Sequence, residues 1–167
     1  MHAYVGFGSN IGNGAANFDE VIRRFAVREI DVLRISSLYE TEPWGGAEGG
    51  PFTNAVMEVA RGESPRSLWN RLCEIETLMG RERRRPLEPR TCDLDLLLWG
   101  DAVVDEPDLR VPHPRMAQRK FVLVPLCELI PDEVHPELGC TFTELLRTCT
   151  DPLQVWLRDR PHGMTTA

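Results

Sequence analysis

The alternation of short strand-forming runs with amphipathic helical stretches constrains the fold of this chain more than any other feature. Strands are predicted over residues 3–7, 30–39, 52–60 and 93–99, and long helices over residues 13–28 and 64–79. Shorter helices are predicted over residues 122–129 and 142–148, and the tail from residue 151 is at most partly helical. This order is the split βαβ pattern. The predicted fold class is therefore α+β: a ferredoxin-like βαββαβ antiparallel sheet with the main helices on one face and a helical C-terminal extension.

The composition limits the classes of function. At 167 residues, with 42% hydrophobic and 27% charged residues, the chain is typical of one globular domain that buries its own core. The net charge of −7 argues against a broad nucleic-acid or membrane surface, because such surfaces are basic. We expect a single domain over residues 1–160, a frayed tail over residues 161–167, no nucleic-acid partner, no membrane association and a monomer.

The rarer residue types exclude several kinds of site. The five cysteines are odd in number and form no Cys-x-x-Cys pair, so neither zinc nor a disulfide framework is expected, and the predicted location is the reducing cytoplasm. The first residues lack the pattern of a signal peptide, and no apolar stretch approaches a membrane span. Lys120 is the only lysine, which removes the lysine of a P-loop.

The segment from residue 81 to residue 99 carries the strongest functional pattern. An arginine-rich loop leads into a strand that begins Asp93-Leu94-Asp95. Because strand positions i and i+2 share a face, the two carboxylates are predicted to project together, roughly 7 Å apart, as ligands of Mg²⁺. Arginines bind phosphate oxygens two at a time, so the segment indicates phosphoryl transfer. A half-exposed strand after a solvated arginine loop would show the same pattern, and both interpretations stay open on this segment alone.

Two strand-flanking stretches are further candidates for ligand contact. Residues 40–51 contain four glycines, two prolines and Trp44, as expected of a lid, although a plain surface connection has a similar composition. The third strand places Phe52 and Asn54 on one face, a ring and an amide that suit a heteroaromatic ligand or simple packing.

Two more candidates precede or follow the acidic strand. His113 lies between two prolines, which hold its backbone stiff and extended, and Arg115 and Arg119 follow it. A solvated surface histidine is equally compatible with this pattern. Glu76 lies one turn before the arginine loop, where it can pair with an arginine or accept a hydrogen bond from a ligand.

Five short motifs occur in a fixed order between residues 3 and 131. They are Gly8-Ser9-Asn10, Phe52-x-Asn54-Ala55, Gly80-Arg81-x-Arg83, Pro89-Arg90-Thr91-x-Asp93-Leu94-Asp95, and Val111-Pro112-His113-Pro114 followed by Arg119-x-Phe121. In this order they resemble the 6-hydroxymethyl-7,8-dihydropterin pyrophosphokinase family of the folate pathway. Leu87 stands where members of that family often carry a tryptophan, and the arginine loop is one residue shorter than the common form.

The resemblance implies transfer of pyrophosphate from ATP to the pterin hydroxymethyl group, with release of AMP. It implies that Asp93 and Asp95 hold two Mg²⁺ ions and that Arg81 and Arg90 neutralise the charge that develops during transfer. The ATP-binding residues that it implies are Glu76, Arg81, Arg83, Arg90, Leu96, His113 and Arg119. The pterin-binding residues that it implies are Thr41, Pro43, Trp44, Phe52, Asn54 and Phe121, with the two phenyl rings on either side of the pterin.

Two other functions are compatible with parts of this pattern. The first is another Mg²⁺-dependent phosphoryl-transfer enzyme, such as a nucleotide hydrolase that uses the same carboxylates without a pterin acceptor. The second is a non-catalytic ligand-binding module in which the arginine loop binds a regulatory anion. The pair of aspartates argues against the module, because two acids repel a phosphate unless a metal ion lies between them.

Overall fold

The structure is a computed structural model that describes residues 2–42, 50–60, 62, 64–80 and 90–159. In chain order its elements are β1 (His2–Ser9), α1 (Gly14–Val27), β2 (Val32–Ile35), β3 (Leu38–Thr41), β4 (Phe52–Ala60), α2 (Pro65–Leu78), β5 (Asp93–Trp99), β6 (Val104–Glu106), β7 (Leu109–Val111), a 3-10 turn (Met116–Gln118), α3 (Lys120–Leu129), α4 (Phe142–Thr148) and β8 (Val155–Asp159). None of the helices in these ranges is long and apolar enough to cross a membrane.

The main sheet has six strands, and all of its pairings are antiparallel. The order is β5-β1-β4-β3-β8, and β2 pairs with β4 beside β3. The predicted mixed α/β class with an antiparallel sheet is therefore confirmed. The last strand, β8, differs from the prediction of at most partial helix over this tail, because pairing with β3 decides its conformation.

The second predicted strand is two strands in the structure. The break falls at Ser36 and Ser37, between β2 and β3. The backbone N–H and the hydroxyl of Ser37 both donate to the carboxylate of Glu128 in α3, each at 2.9 Å. The sheet is interrupted there because this edge is anchored to a helix that lies far away in the sequence.

Helices cover both faces of the sheet. Apolar residues of α1 and α2, such as Phe18, Phe25 and Leu72, pack on one face with Val5 and Leu96. The opposite face packs against the C-terminal helices, whose buried residues include Leu123, Leu126 and Phe142. The two long helices lie on one side as predicted, and the C-terminal helices form a second layer on the other side.

The start of α1 packs very closely against β4. Asn13 caps the helix, since its side chain accepts the backbone N–H groups of Ala15 and Ala16 at 3.1 and 3.2 Å. A Cβ atom added at Gly14 would lie 2.5 Å from the Cβ atom of Thr53 and closer still to its hydroxyl. That hydroxyl also accepts a hydrogen bond from Arg158 of β8 at 2.7 Å. Only a glycine fits at position 14.

A buried carboxylate ties the opposite end of β4 to its neighbours. Glu58 is 2% exposed and accepts hydrogen bonds from His2, from Arg34 and, at 3.3 Å, from the hydroxyl of Tyr4. Burial raises the pKa of Glu58, but the hydrogen bonds and charges of Arg34 and His2 together outweigh this effect, and the pKa lies below its ordinary value. Arg34 also donates to the carbonyl of Leu129 at 3.0 Å, which links the sheet to the end of α3.

Candidate active site

A cavity of about 250 Å³ opens at one end of the sheet, on the face covered by α3. Its walls come from β1, the end of β3, the start of β4, the start of β5 and the segment that leads into α3. The lining residues are Gly6, Phe7, Gly8, Thr41, Glu42, Phe52, Asn54, Ala55, Val56, Arg90, Asp93, Asp95, Leu97, His113, Arg115, Arg119, Phe121 and Val122. Five separate parts of the sequence therefore converge on one concave site, as expected of a binding pocket.

Two glycines of β1 form the floor of this cavity. Gly8 pairs with Asn54 of β4 on one side and with Asp93 of β5 on the other, and Gly6 pairs with Asp95 two positions along. Directly paired residues of antiparallel strands share a face. The side chains of Asn54, Asp93 and Asp95 therefore surround a strip of β1 that consists of Gly6 and Gly8 and has no side chains. The absence of Cβ atoms on this strip creates space for a ligand.

The carboxylates of Asp93 and Asp95 both line the cavity and are 21% and 38% exposed. Leu94, between them, is buried in the core on the other face of the sheet. Among the described residues no group of three or more His, Cys, Asp or Glu side chains is placed to hold a metal ion. A pair of accessible carboxylates without further protein ligands fits Mg²⁺, which keeps several waters and takes other ligands from substrate phosphates.

Three cationic or hydrogen-bonding side chains face the two acids. The guanidinium of Arg90 lies 3.3 Å from Asp93, measured from Nη1 to Oδ2. The Nε2 atom of His113 and the Nη1 atom of Arg119 lie 3.9 and 4.0 Å from Oδ2 of Asp95. Carboxylates and hydrogen-bond donors thus lie within a few ångströms of one another. This arrangement suits a metal-bound polyphosphate, because the carboxylates can hold the metal ion and the donors can bind phosphate oxygens.

The environment of His113 determines its protonation. Burial lowers the pKa of His113 below its ordinary value, more than the charge of Asp95 raises it, so the ring is neutral near pH 7. Nδ1 accepts the backbone N–H of Arg115 at 3.2 Å, which places the ring proton on Nε2. The N–H bond of His113 therefore lies on the side of the ring nearest Asp95, where it can donate to a ligand.

The other half of the cavity is aromatic. Phe52 and Phe121 line it, and each ring lies beside a guanidinium group: Arg90 is 5.8 Å from the centre of the Phe52 ring, and Arg119 is 5.6 Å from that of Phe121. The amide nitrogen of Asn54 donates to the hydroxyl of Thr41 at 2.9 Å and to the carbonyl of Phe52 at 3.3 Å. The carbonyl oxygen of Asn54 is thereby directed to the floor, 3.5 Å from where a Cβ atom of Gly8 would be.

Two other residues implied by the resemblance, Glu76 and Leu96, are buried outside the lining of the cavity. Glu76 is 2% exposed, and its carboxylate accepts the backbone N–H of Leu94 at 2.7 Å, so it supports β5 from beneath. Leu96 is 3% exposed, and its side chain packs in the core on the face of the sheet that α1 and α2 cover. Only its backbone can therefore lie near the cavity. Four of the implied residues lie outside the described residues: Pro43, Trp44, Arg81 and Arg83.

Sequence reasoning missed two contributors to the cavity. The glycine floor has a visible signal, the Gly6-Phe7-Gly8 alternation, in which both glycines fall on one face of a strand. Glu42 also lines the cavity, next to Thr41, but an isolated acid in a loop gives no sequence signal. Arg115, from the same proline-framed segment as His113, lines the cavity as well.

We expect Gly8→Ala to lower kcat/KM at least ~10-fold without lowering the thermal midpoint. The new methyl group would make ordinary contacts of 3.5–3.9 Å with Asn54, Phe52 and Asp93, but it would occupy the floor of the cavity. Alanine is also the better strand residue, because glycine loses more conformational entropy on folding. Steady-state kinetics measure kcat/KM, and thermal unfolding measures the midpoint. An unchanged kcat/KM would contradict the assignment of the two glycines as the floor of the ligand cavity.

An antiparallel sheet that carries paired acids among guanidinium groups, beside an aromatic slot, is typical of a phosphoryl-transfer enzyme. The chain matches the 7,8-dihydro-6-hydroxymethylpterin-pyrophosphokinase (HPPK) family over residues 4–131 and belongs to that family. The resemblance stated from the motifs is thereby confirmed.

Individual relatives agree with this assignment. The 2-amino-4-hydroxy-6-hydroxymethyldihydropteridine pyrophosphokinase of Synechocystis is 39% identical over 155 residues, which cover 92% of this chain and 78% of that protein. The protein of the same name from Pseudomonas aeruginosa is 37% identical over 150 residues, which cover 89% and 92%. The HPPK-DHPS crystal structure from Plasmodium falciparum has a TM-score of 0.69 at 16% identity and shares the fold over 87% of this chain, which spans 44% of that longer protein.

Proposed function

We propose that the cavity transfers pyrophosphate from ATP to the hydroxymethyl group of 6-hydroxymethyl-7,8-dihydropterin and releases AMP. The chain is an ATP-dependent pyrophosphokinase of folate biosynthesis by its family. The proposal extends to specific residues because the lining of one cavity includes the two aspartates of β5 with arginines, a histidine and phenyl rings: Asp93, Asp95, Arg90, Arg119, His113, Phe52 and Phe121. The reaction needs an alcohol held in line with the β-phosphorus, so positioning and charge neutralisation matter more than a strong base.

Asp93 and Asp95 are the proposed ligands of two Mg²⁺ ions. When bound, Mg²⁺ neutralises phosphate charge and orients the attacking and leaving oxygens. The contribution of the chain is to present both carboxylates from one strand face, beside the glycine floor and within reach of the donors. Glu76 helps to hold that strand, since it bonds the backbone N–H between the two acids.

Arg90, His113 and Arg119 are the proposed contacts to the ATP phosphates, together with Arg81, Arg83 and the backbone at Leu96. Burial lowers the pKa of Arg119, and the nearby charge of Arg115 lowers it further. An anion that binds in the cavity would therefore stabilise the charged guanidinium of Arg119. The neutral His113 donates from Nε2 without adding charge. Arg90 and Arg81 are proposed to neutralise the charge that develops on the transferred group and on AMP.

The aromatic half of the cavity is the proposed pterin site. Phe52 and Phe121 would stack on the two faces of the bicyclic ring, and each such aromatic pair is worth about 0.5–1.5 kcal/mol beyond area burial. Both hydrogens of the Asn54 amide are directed to Thr41 and Phe52, so its oxygen accepts a hydrogen bond from an N–H group of the pterin edge. Pro43 and Trp44 are proposed to close over the ring.

The finer statements about architecture are proposals as well. The order β5-β1-β4-β3, with α1 and α2 on one face, supports a ferredoxin-like βαββαβ core, with α3, α4 and β8 as its extension. We propose one domain over residues 1–160. The monomeric state stays a prediction. The cytoplasmic location stays a prediction.

One assay tests the proposed reaction. The protein is incubated with Mg-ATP, with and without the hydroxymethyl dihydropterin, and the nucleotide products are separated by chromatography. We expect AMP to form only when the pterin is present, in a one-to-one ratio with pyrophosphorylated pterin. Phosphate or pyrophosphate release without the acceptor would indicate a nucleotide hydrolase, and absence of turnover would indicate a binding module.

A further inference from the structure

Asn10, in the turn after β1, holds the backbone of Arg90 from both sides. The backbone N–H of Asn10 donates to the carbonyl of Arg90 at 3.0 Å. The backbone N–H of Arg90 donates in return to Oδ1 of the Asn10 side chain at 2.8 Å. Asn10 thus pairs with both the backbone donor and the backbone acceptor of a residue that lies 80 positions later in the chain.

The side chain of Arg90 lines the cavity. A second anchor follows at once, since the hydroxyl of Thr91 donates to the carbonyl of Met79 at the end of α2, at 2.6 Å. From this anchored backbone the guanidinium reaches Asp93 at 3.3 Å and lies 5.8 Å from the centre of the Phe52 ring. The position of the guanidinium therefore depends on where Asn10 holds the main chain.

We propose that Asn10 is a positioning residue, which acts on the reaction through the backbone of Arg90. The inference rests on the proposed function, because it needs the guanidinium of Arg90 to act on the transferred group. Asn10 itself is not among the described residues that line the cavity. A guanidinium displaced by about 1 Å loses its alignment with the reacting phosphate, and such displacements cost up to ~10²-fold in rate.

Asn13 provides a matched control from the same turn. Like the side chain of Asn10, the side chain of Asn13 accepts hydrogen bonds from the backbone. Its donors are the N–H groups of Ala15 and Ala16 in α1. Asn13→Ala should therefore lower the thermal midpoint by about 2–4 °C through loss of the helix cap and leave kcat unchanged. Asn10→Asp is the conservative variant, because an aspartate keeps the Oδ1 acceptor in the same place.

The experiment compares kcat, KM for each substrate and the thermal midpoint of these variants. We expect Asn10→Ala to lower kcat roughly 10- to 100-fold, with KM for the pterin within about 2-fold, and Asn10→Asp to restore most of kcat. In an Arg90→Ala background, which keeps the backbone bonds but removes the guanidinium, Asn10→Ala should have no further effect on kcat. A purely structural Asn10 would instead lower kcat by the same factor in both backgrounds, or behave like Asn13→Ala, and either result overturns the proposal.

Failure of the proposed function is distinguishable from failure of this inference. If the wild-type protein makes no pterin-dependent AMP, the function is wrong, and hydrogen exchange of the Arg90 amide still tests the contact. We expect that amide to be protected in the wild type and in Asn13→Ala, and to exchange at least ~10-fold faster in Asn10→Ala. Equal exchange in all three proteins would show that Asn10 does not hold Arg90.

Discussion

Replacing Asp95 by alanine should lower kcat/KM at least ~10³-fold, about 4 kcal/mol of transition-state stabilisation, while the folded protein remains. The side chain lines the cavity at the start of β5, where it faces His113 and Arg119 at 3.9 and 4.0 Å. Without this carboxylate Mg²⁺ loses one of its two proposed aspartate ligands. The substitution leaves no cavity in the core, because the side chain is 38% exposed, so the thermal midpoint should change little.

The control for this substitution is Asp101→Ala, which removes an exposed carboxylate from the turn after the same strand. Both proteins are assayed for pterin-dependent AMP formation over a range of Mg²⁺ concentrations, and their unfolding is followed by circular dichroism. We expect full activity in the control. Retention of more than a tenth of wild-type activity in Asp95→Ala would remove the metal assignment, because the remaining acid would then be sufficient.

Replacing Gly14 by alanine should destabilise the protein by about 2 kcal/mol, close to the middle of the range for overpacked sites. The added methyl group would lie 2.5 Å from the Cβ atom of Thr53, which no side-chain rotation can move, so α1 must shift away from β4. This cost exceeds the gain in helix propensity from glycine to alanine, which is at most about 1 kcal/mol. For a chain of this size the thermal midpoint should fall by about 4–8 °C.

Gly62→Ala is the matched control, because a Cβ atom there meets no atom of the described residues within 4 Å. Thermal and urea unfolding of the two variants and the wild type measure the difference in free energy of unfolding. We expect the control to be within about 0.5 kcal/mol of the wild type. If Gly14→Ala were as stable as the control, the close contact between the helix and the strand would not exist in solution.

Local rules predict the parts of this molecule that depend on neighbours in sequence. The two-residue period of a strand is sufficient to place Asp93 and Asp95 on one face, and both line the cavity. The helix Phe142–Thr148 was predicted with the bounds that it has, and Thr141 and Glu144 form a capping box at its start. In both cases the deciding interactions span only a few residues.

The features that sequence reasoning could not place depend on distant partners. Nothing near Ser37 indicates that Glu128 interrupts the sheet there. The conformation of β8 is set by pairing with β3, more than a hundred residues earlier. Glu76 stays a predicted ligand contact, and its burial on α2 gives it a partner that local sequence rules did not predict, the backbone N–H of Leu94 in β5.

The two ends of β4 have consequences for protein engineering. Asn54 lies in the cavity, and Glu58, four positions along and about 13 Å away, sits in its cluster with His2, Arg34 and Tyr4. Glu58 is the buried member of this cluster, and the side chains of His2 and Arg34 are 48% and 50% exposed. Removing either side chain would leave a buried carboxylate without one of its partners, which is costly. Substitutions at the Glu58 end of β4 should therefore change heat resistance and leave the proposed catalytic residues in place.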